Sequence, residues 1–378
     1  MDSATEIADA GYVGRVAAVV ALLVLLSCQA TGAAGPRLIV GVDDDTAKWL
    51  VRPDGLVGVN RDLGIGAMRI MVPWHGQRVP SRTQQVYLHR VALTVALGQR
   101  VVLAIYGRER DAPVTPALRD AYCSFAEHVF ARIPQLQDVV VWNEVNNPRF
   151  WPRSAGATAY EALLARCWDM LHSLRRGINV VDSTAPHQAP AAFLRGLGAA
   201  YRASGRMRPI LDTFGHNVYP ERSTEEPWAQ HDNGSIDEGD YATLSAVLAE
   251  AFGGTGQPLP GSGRTTIWYL EDGFQTEIPA AKRRLYIGSE PDRHLLPAVA
   301  ELAPDQSSQL RAAIELAYCQ PNVGAFFNFQ LIDDHRLTGW QSGLLWADGT
   351  RKPSYAAVRD AVAAVRSSSV DCGAFPPQ

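Results

Sequence analysis

The sequence has little that would announce metal, nucleotide or serine-hydrolase chemistry. Five of its 378 residues are cysteines and no two stand in C-x-x-C spacing, which argues against a zinc site. No H-E-x-x-H, P-loop or serine nucleophile elbow is present. No glycine-rich phosphate loop follows the first strand-like run. Neither sign of charge is in excess: the formal net charge is −4, which gives no ground for a nucleic-acid partner or for an anionic membrane surface. There is no internal repeat, and low complexity is confined to a short serine run and "FPPQ" near the C-terminus. The apolar run at 16–26 is short for a membrane span.

Around that run the sequence becomes informative. Arg15 precedes it and "SCQATGAAG" follows it, so 1–35 reads as a secretory signal peptide with small residues suited to cleavage. Two other readings stay open. "LLSC" at 25–28 resembles a bacterial lipoprotein box that would place a lipid on Cys28, and the segment can also serve as an uncleaved anchor. Each predicts a secreted or cell-surface protein that meets a membrane only through that anchor, with 36–378 as one domain. Export suits the remaining cysteines, Cys123, Cys167, Cys319 and Cys372, which are even in number. Neighbouring helices would bring Cys123 to Cys167, and Cys319 with Cys372 would tie down the tail. Buried free thiols are the alternative for the first pair. Nothing in the sequence specifies an oligomeric state.

Eight short runs rich in Val, Ile or aromatic residues follow, at 37–42, 67–74, 100–106, 138–144, 178–184, 211–219, 265–272 and 323–331. Several are apolar throughout, as strands covered on both faces are. Between them apolar residues recur at steps of three and four, as in Leu118, Tyr122, Phe125, Val129 and Ile133. One helix is predicted over 83–97, and Gly98 and Gly177 stand where C-terminal helix stops belong. The first strand is followed only by a short turn-rich stretch. Strands alternating with helices imply right-handed crossovers and a parallel sheet. The expectation is an α/β fold, a closed (β/α)8 TIM barrel with long loops after strand six (220–241) and strand seven (273–305). A doubly wound open sheet is the runner-up. Loops leaving the C-terminal ends of barrel strands usually shape a cleft, so the acidic loop after strand six is either a cleft wall or a solvated connection.

Two of these strands end in glutamate. The fourth closes with Glu144, in "VVVWNE", and the seventh with Glu271, in "WYLED". Strands four and seven face each other across a barrel mouth, so the two carboxyls can meet over one substrate. Cleaving a glycosidic bond calls for such a pair: one carboxyl as acid, the other as nucleophile, about 5–5.5 Å apart in a retaining enzyme. The "WNE" after strand four and the second Glu closing strand seven resemble clan A, the retaining (β/α)8 glycoside hydrolases that include cellulase family 5 and the xylosidase/iduronidase family 39. The resemblance runs from "RIMVPW" to "GLLWADGTRKPSY".

The resemblance implies Glu144 as acid/base, Glu271 as nucleophile, Asn143 as partner of the sugar 2-hydroxyl and Arg69 as the cation beside the nucleophile. His216 and Tyr219, in "GHNVYP", resemble a strand-six His-x-Tyr with one residue more between them. No Trp stands at the end of strand eight, where Phe329 or the later Trp340 would substitute. Trp74, Trp151 and Trp340 can stack on sugar faces or simply pack. His75, Asn146 and Asn147 are further candidates for the mouth. "DDD" at 43–45 is expected to cap the turn after strand one and not to hold a metal. The implied partner is a carbohydrate, and the implied chemistry, a retaining O-glycosyl hydrolysis, needs no cofactor. Two rival readings are a glycan-binding barrel without turnover and a hydrolase of another type on the same barrel.

Overall fold

The computed structural model describes residues 38–289 and 305–376. The signal or anchor expected at 1–35, and residues 290–304 of the loop after strand seven, lie outside the described residues. No helix among the described residues is long and apolar enough to cross a membrane.

Eight parallel strands alternate with helices in a nearly closed (β/α)8 barrel. The strands are β1 (Ile39–Asp43), β2 (Ala67–Pro73), β3 (Arg100–Tyr106), β4 (Asp138–Val141), β5 (Asn179–Val181), β6 (Phe214–Asn217), β7 (Ile267–Asp272) and β8 (Val323–Phe329). Pairing runs β5-β4-β3-β2-β1-β8-β7-β6, and isolated parallel bridges Val181 to Thr213 and Thr184 to His216 span the remaining seam. The helices are α1 (Thr46–Trp49), α2 (Asp54–Leu63), α3 (Arg82–Ala96), α4 (Pro116–Arg132), α5 (Gly156–Leu174), α6 (Pro190–Ala203), α7 (Tyr241–Phe252), α8 (Gln306–Cys319) and α9 (Ser354–Ser367).

Local sequence explains several boundaries. Ser81 and Gln84 form a capping box that starts α3. Thr115 caps α4, with Pro116 at its first turn. Gly98 follows α3 with φ +88°, the left-handed stop expected of it. Gly177 plays no such part, because α5 ends at Leu174 and closes on an extended Arg175. The stretch after β1 is not only turns. Asp54–Leu63 is a helix that buries Leu56, Val57, Asn60 and Leu63, and its Gly55 and Gly58 face open space. Those two glycines disguise a helical face as a loop.

Two apolar layers result. Inside the barrel, Ala67, Val102, Ala104, Val140, Val181, Trp268, Leu270, Ala325 and Phe327 form one cluster, following the two-residue period of each strand. Gly41 is required there, since a Cβ would lie 2.4 Å from the Phe327 ring. The larger core lies between strands and helices. Disulfides join α4 to α5 through Cys123 and Cys167, and α8 to the C-terminal tail through Cys319 and Cys372.

Candidate active site

The strand period delivers Arg69 and Asp43 to the mouth of the barrel, each on the inward face two residues beyond an interior position. Arg69 is 1 % exposed. Its Nη1 donates to Glu271 Oε1 at 2.6 Å and also to Asp43 Oδ2, and its Nη2 donates to Asn143 Oδ1 at 2.8 Å. Burial opposes the guanidinium charge, but the carboxylates of Asp43 and Glu271 outweigh it, so the Arg69 pKa is raised. Burial pushes the Asp43 carboxyl well up, against the pull of Arg69.

Glu271 reaches this cluster through a bulge. Tyr269 pairs with His216 and Phe326, yet the next partners, Asn217 and Asn328, meet Glu271 and Asp272. One extra residue in β7 breaks the alternation after the inward Leu270. Glu271 therefore turns to the mouth as well, and Asp272 goes outside, a usual effect of bulges near sites. Tyr219 completes the setting by donating its hydroxyl to Glu271 Oε2 at 2.9 Å. Both oxygens of Glu271 thus act as acceptors.

Glu144 reaches the mouth through a second break. β4 ends at Val141, and Trp142 and Glu144 take positive φ, 69° and 42°. Such left-handed backbone costs of order 1–3 kcal/mol per residue and persists only where the surroundings fix it. Here they do. The Trp142 N–H meets Ile105 O at 3.2 Å and the Tyr122 hydroxyl at 3.1 Å, and its indole donates to Phe150 O at 2.8 Å. The Glu144 N–H donates to Ser183 Oγ at 3.2 Å. The Glu144 carboxyl accepts from Asn217 Nδ2 at 2.9 Å and Asn147 Nδ2 at 2.7 Å. Burial, then the charge of Glu271, raise its pKa; the amides and Arg69 lower it. The balance is a carboxyl pushed up to about 6.

The remaining sequence candidates divide. Asn143, Asn147, Arg69 and Tyr219 join the cluster. Trp340 stacks on Tyr219 with ring centroids 5.2 Å apart, and Phe329 meets both rings edge-on. His216 lies on the helix-facing side instead. Its Nδ1 meets Thr184 Oγ1 at 2.7 Å and its Nε2 meets Ile236 O at 2.7 Å, and burial lowers its pKa to about 4. Trp74 is fully buried, edge-on to Tyr122 and Trp142, and Trp151 packs on Trp142 and Tyr160. Asn146 braces the β5 loop through Ala185 and Gln188. His75 is exposed and meets Asp111 Oδ2 at 3.2 Å.

Two members of the cluster were not among the sequence candidates. Asn217 holds Glu144; the two-residue period of β6, which places 217 and 219 on one face, is the signal that finds it. Asp43 serves Arg69, whereas its neighbours do behave as turn caps. Asp44 accepts from the backbone of Thr46, Leu331 and Ile332, and Asp45 from that of Met71.

One group among the described residues has metal-ligand spacing, Glu225, His231 and Asp237, in the loop after β6. Its imidazole already bridges the carboxylates around it. His231 Nε2 lies 3.0 Å from Glu225, and its Nδ1 lies 3.0 Å from Asp240 and 3.1 Å from Asp237. Burial opposes a charge on the ring, but the hydrogen bond to Asp240 and the other carboxylates push it up to about 9. The loop is therefore held folded on itself by these ion pairs.

No family model matches the sequence, and no curated protein matches it. Solved structures do. The chain is similar to the Ignisphaera aggregans GH53 catalytic domain, with TM-score 0.59, 15 % identity, and coverage of 87 % of this chain and 97 % of that one. It is similar to a glucosidase from Croceicoccus marinus, with TM-score 0.58, 10 % identity, and coverage of 89 % and 69 %. A GH2 beta-galacturonidase from Eisenbergiella tayi matches with TM-score 0.50 and 12 % identity over 82 % of this chain, which spans 47 % of that longer one. At these identities the likeness establishes the fold: the chain is a (β/α)8 barrel of the kind on which these glycoside hydrolases are built.

Proposed function

We propose that this protein is a retaining glycoside hydrolase acting by double displacement. One observation carries the reading. Glu144 has a carboxyl poised near pH 6, and its charge neighbour is Glu271, whose two oxygens are held by Arg69 and Tyr219. Two carboxyls in contrasting surroundings are what acid and nucleophile require. Glu271 attacks the anomeric carbon while Glu144 gives its proton to the leaving oxygen. The glycosyl ester on Glu271 is then opened by water, from which Glu144 takes a proton as the hydroxyl adds to the sugar. The opposing influences on Glu144 suit both half-reactions, since burial favours the acid and its amide donors favour the base. Asn143, beside Arg69 at the mouth, is positioned to meet a sugar hydroxyl, and Trp340 offers a ring face at the rim. Neighbours of this fold that are glycosidases support the class of reaction.

The test is a panel of nitrophenyl glycosides with the product anomer read by NMR. Turnover with retention is expected, and inversion would exclude the double displacement. A second reading, a glycan-binding barrel without turnover, takes its support from His216, which is turned away from the mouth. It predicts sugar binding unchanged by Glu144→Gln and no hydrolysis. We also propose that the protein is exported. The two disulfides support this, since such cross-links persist in oxidising compartments.

A further inference from the structure

Beside the mouth, a groove of about 630 Å³ runs along the ends of β2, β3 and β4. Its floor is apolar, from Met71, Tyr106 and Phe150, with the Tyr106 and Phe150 rings edge-to-face at 5.8 Å. Its rim is basic. Arg108 and Arg110 stand on the loop after β3 and Arg149 on the loop after β4. The two loops are joined where the Glu109 N–H donates to Arg149 O at 3.2 Å. All three arginines are exposed, and none forms an ion pair with a described residue. Glu109 is the one carboxylate lining the groove. The nearby Asp111 is engaged by the His75 ring and the Arg108 N–H. A protein whose net charge is −4 thus gathers three guanidinium groups against one carboxylate in one groove, with Arg149 lying 5.7 Å over the Phe150 ring.

Tyr106, in the groove floor, links that groove to the carboxylate cluster. Tyr106 sits on the inward face of β3, two residues beyond Ala104, and packs against the barrel interior. The charges of Arg69, Glu271 and Asp43 all act on its hydroxyl. A chain of sugars with one unit over Glu271 would therefore run its neighbours along Tyr106 and past the arginines. Guanidinium forks pair bidentately with planar or tetrahedral oxyanions, and aromatic floors suit the apolar faces of sugar rings.

We infer that this groove is a subsite for an acidic sugar, one carrying a carboxylate or a sulfate ester, so that the substrate is an anionic glycan. The inference rests on the glycosidase reading for the position of the cleaved bond, but the anion site itself does not.

The test is calorimetric titration of the full chain with tetrasaccharides in matched forms. Unsulfated chondroitin and oligogalacturonate carry carboxylates, chondroitin sulfate adds sulfate, carboxyl-reduced chondroitin sulfate carries sulfate alone, and carboxyl-reduced unsulfated forms are neutral. At least one acidic form is expected to bind ten-fold or more tighter than its neutral counterpart. That margin should shrink with salt and disappear in R108A/R110A/R149A. Comparing the carboxylate with the sulfate forms identifies the anion. An unchanged melting temperature in the variant shows that it is folded, and single Arg→Lys changes, which keep the charge and lose the fork, should lose part of the margin. Equal affinity for acidic and neutral forms, a margin untouched by the triple substitution, or no binding by any acidic form would each overturn the subsite. Acidic-sugar binding that depends on the arginines, without turnover of any glycoside, would remove the glycosidase reading and leave the subsite standing.

Discussion

Glu271 and Asp272 are neighbours in the chain and belong to two differently treated groups of buried carboxyls. Glu271 and Glu144 stand at the barrel mouth, served by Arg69, Tyr219, Asn217 and Asn147. Asp272, Glu238 and Asp182 lie on the helix side of the strands and form no ion pair with described residues. Burial pushes Asp182 up to about 7 and Asp272 up to about 8, and raises Glu238 well above the ordinary range. One oxygen each of Asp182 and Asp272 has no partner. Burial alone therefore raises a carboxyl without making it useful. What separates the mouth is a cation, a donor to each carboxyl oxygen, and an opening to solvent.

Removing the two mouth carboxyls breaks that contrast most sharply. Glu144→Gln is expected to lower kcat/KM on a poor leaving group by roughly 10²–10⁴-fold, and Glu271→Gln by more, read from initial rates on the best substrate of the glycoside panel. Arg69→Met comes next, because it leaves Asp43 and Glu271 buried without their cation. Breaking a buried pair in this way costs about 3–5 kcal/mol, seen as a large drop in denaturant midpoint, and adding Asp43→Asn should recover part of it.

On the helix side the sign is reversed. A carboxyl whose folded pKa lies above its unfolded value stabilises fully only below the unfolded value, near 4. That contribution is lost as pH rises through the folded value. Stability should therefore decline from pH 4 through about 7 for Asp182 and about 8 for Asp272. Asp182→Asn should flatten the slope and leave acid stability within about 1 kcal/mol of the parent; denaturation at pH 5 and 9 decides it. The smallest effect concerns the pH profile. kcat/KM should fall as pH rises past about 6, where Glu144 loses its proton. The Asn217 amide favours the ionised form, so Asn217→Ala should move that limb upward by a fraction of a pH unit.

Much of the barrel was legible in the sequence because buried parallel strands are short, apolar and evenly spaced. All eight runs became strands, and β3 matches its expected span, 100–106. The helix Asp54–Leu63 escaped because two glycines that face open space mask its apolar face. Glu144 and Glu271 could be named from strand ends, and Arg69 and Asn143 through the resemblance to clan A. How Glu144 and Glu271 turn inward could not. Each depends on a break in alternation, a bulge after Tyr269 in one case and the left-handed Trp142 in the other, and both are fixed by neighbouring strands. His216 and Asn217 show the same limit. The motif drew attention to the histidine, while the inward face of β6 belongs to Asn217 and Tyr219.

In the double displacement proposed above, Glu271 forms the bond to the sugar. A 2-fluoro glycoside matched to the preferred substrate should inactivate the enzyme with a single added glycosyl group, and peptide mass spectrometry should find it on Glu271. An active preparation that carries the label on any other residue, or turns over the fluorosugar without labelling, would contradict the account.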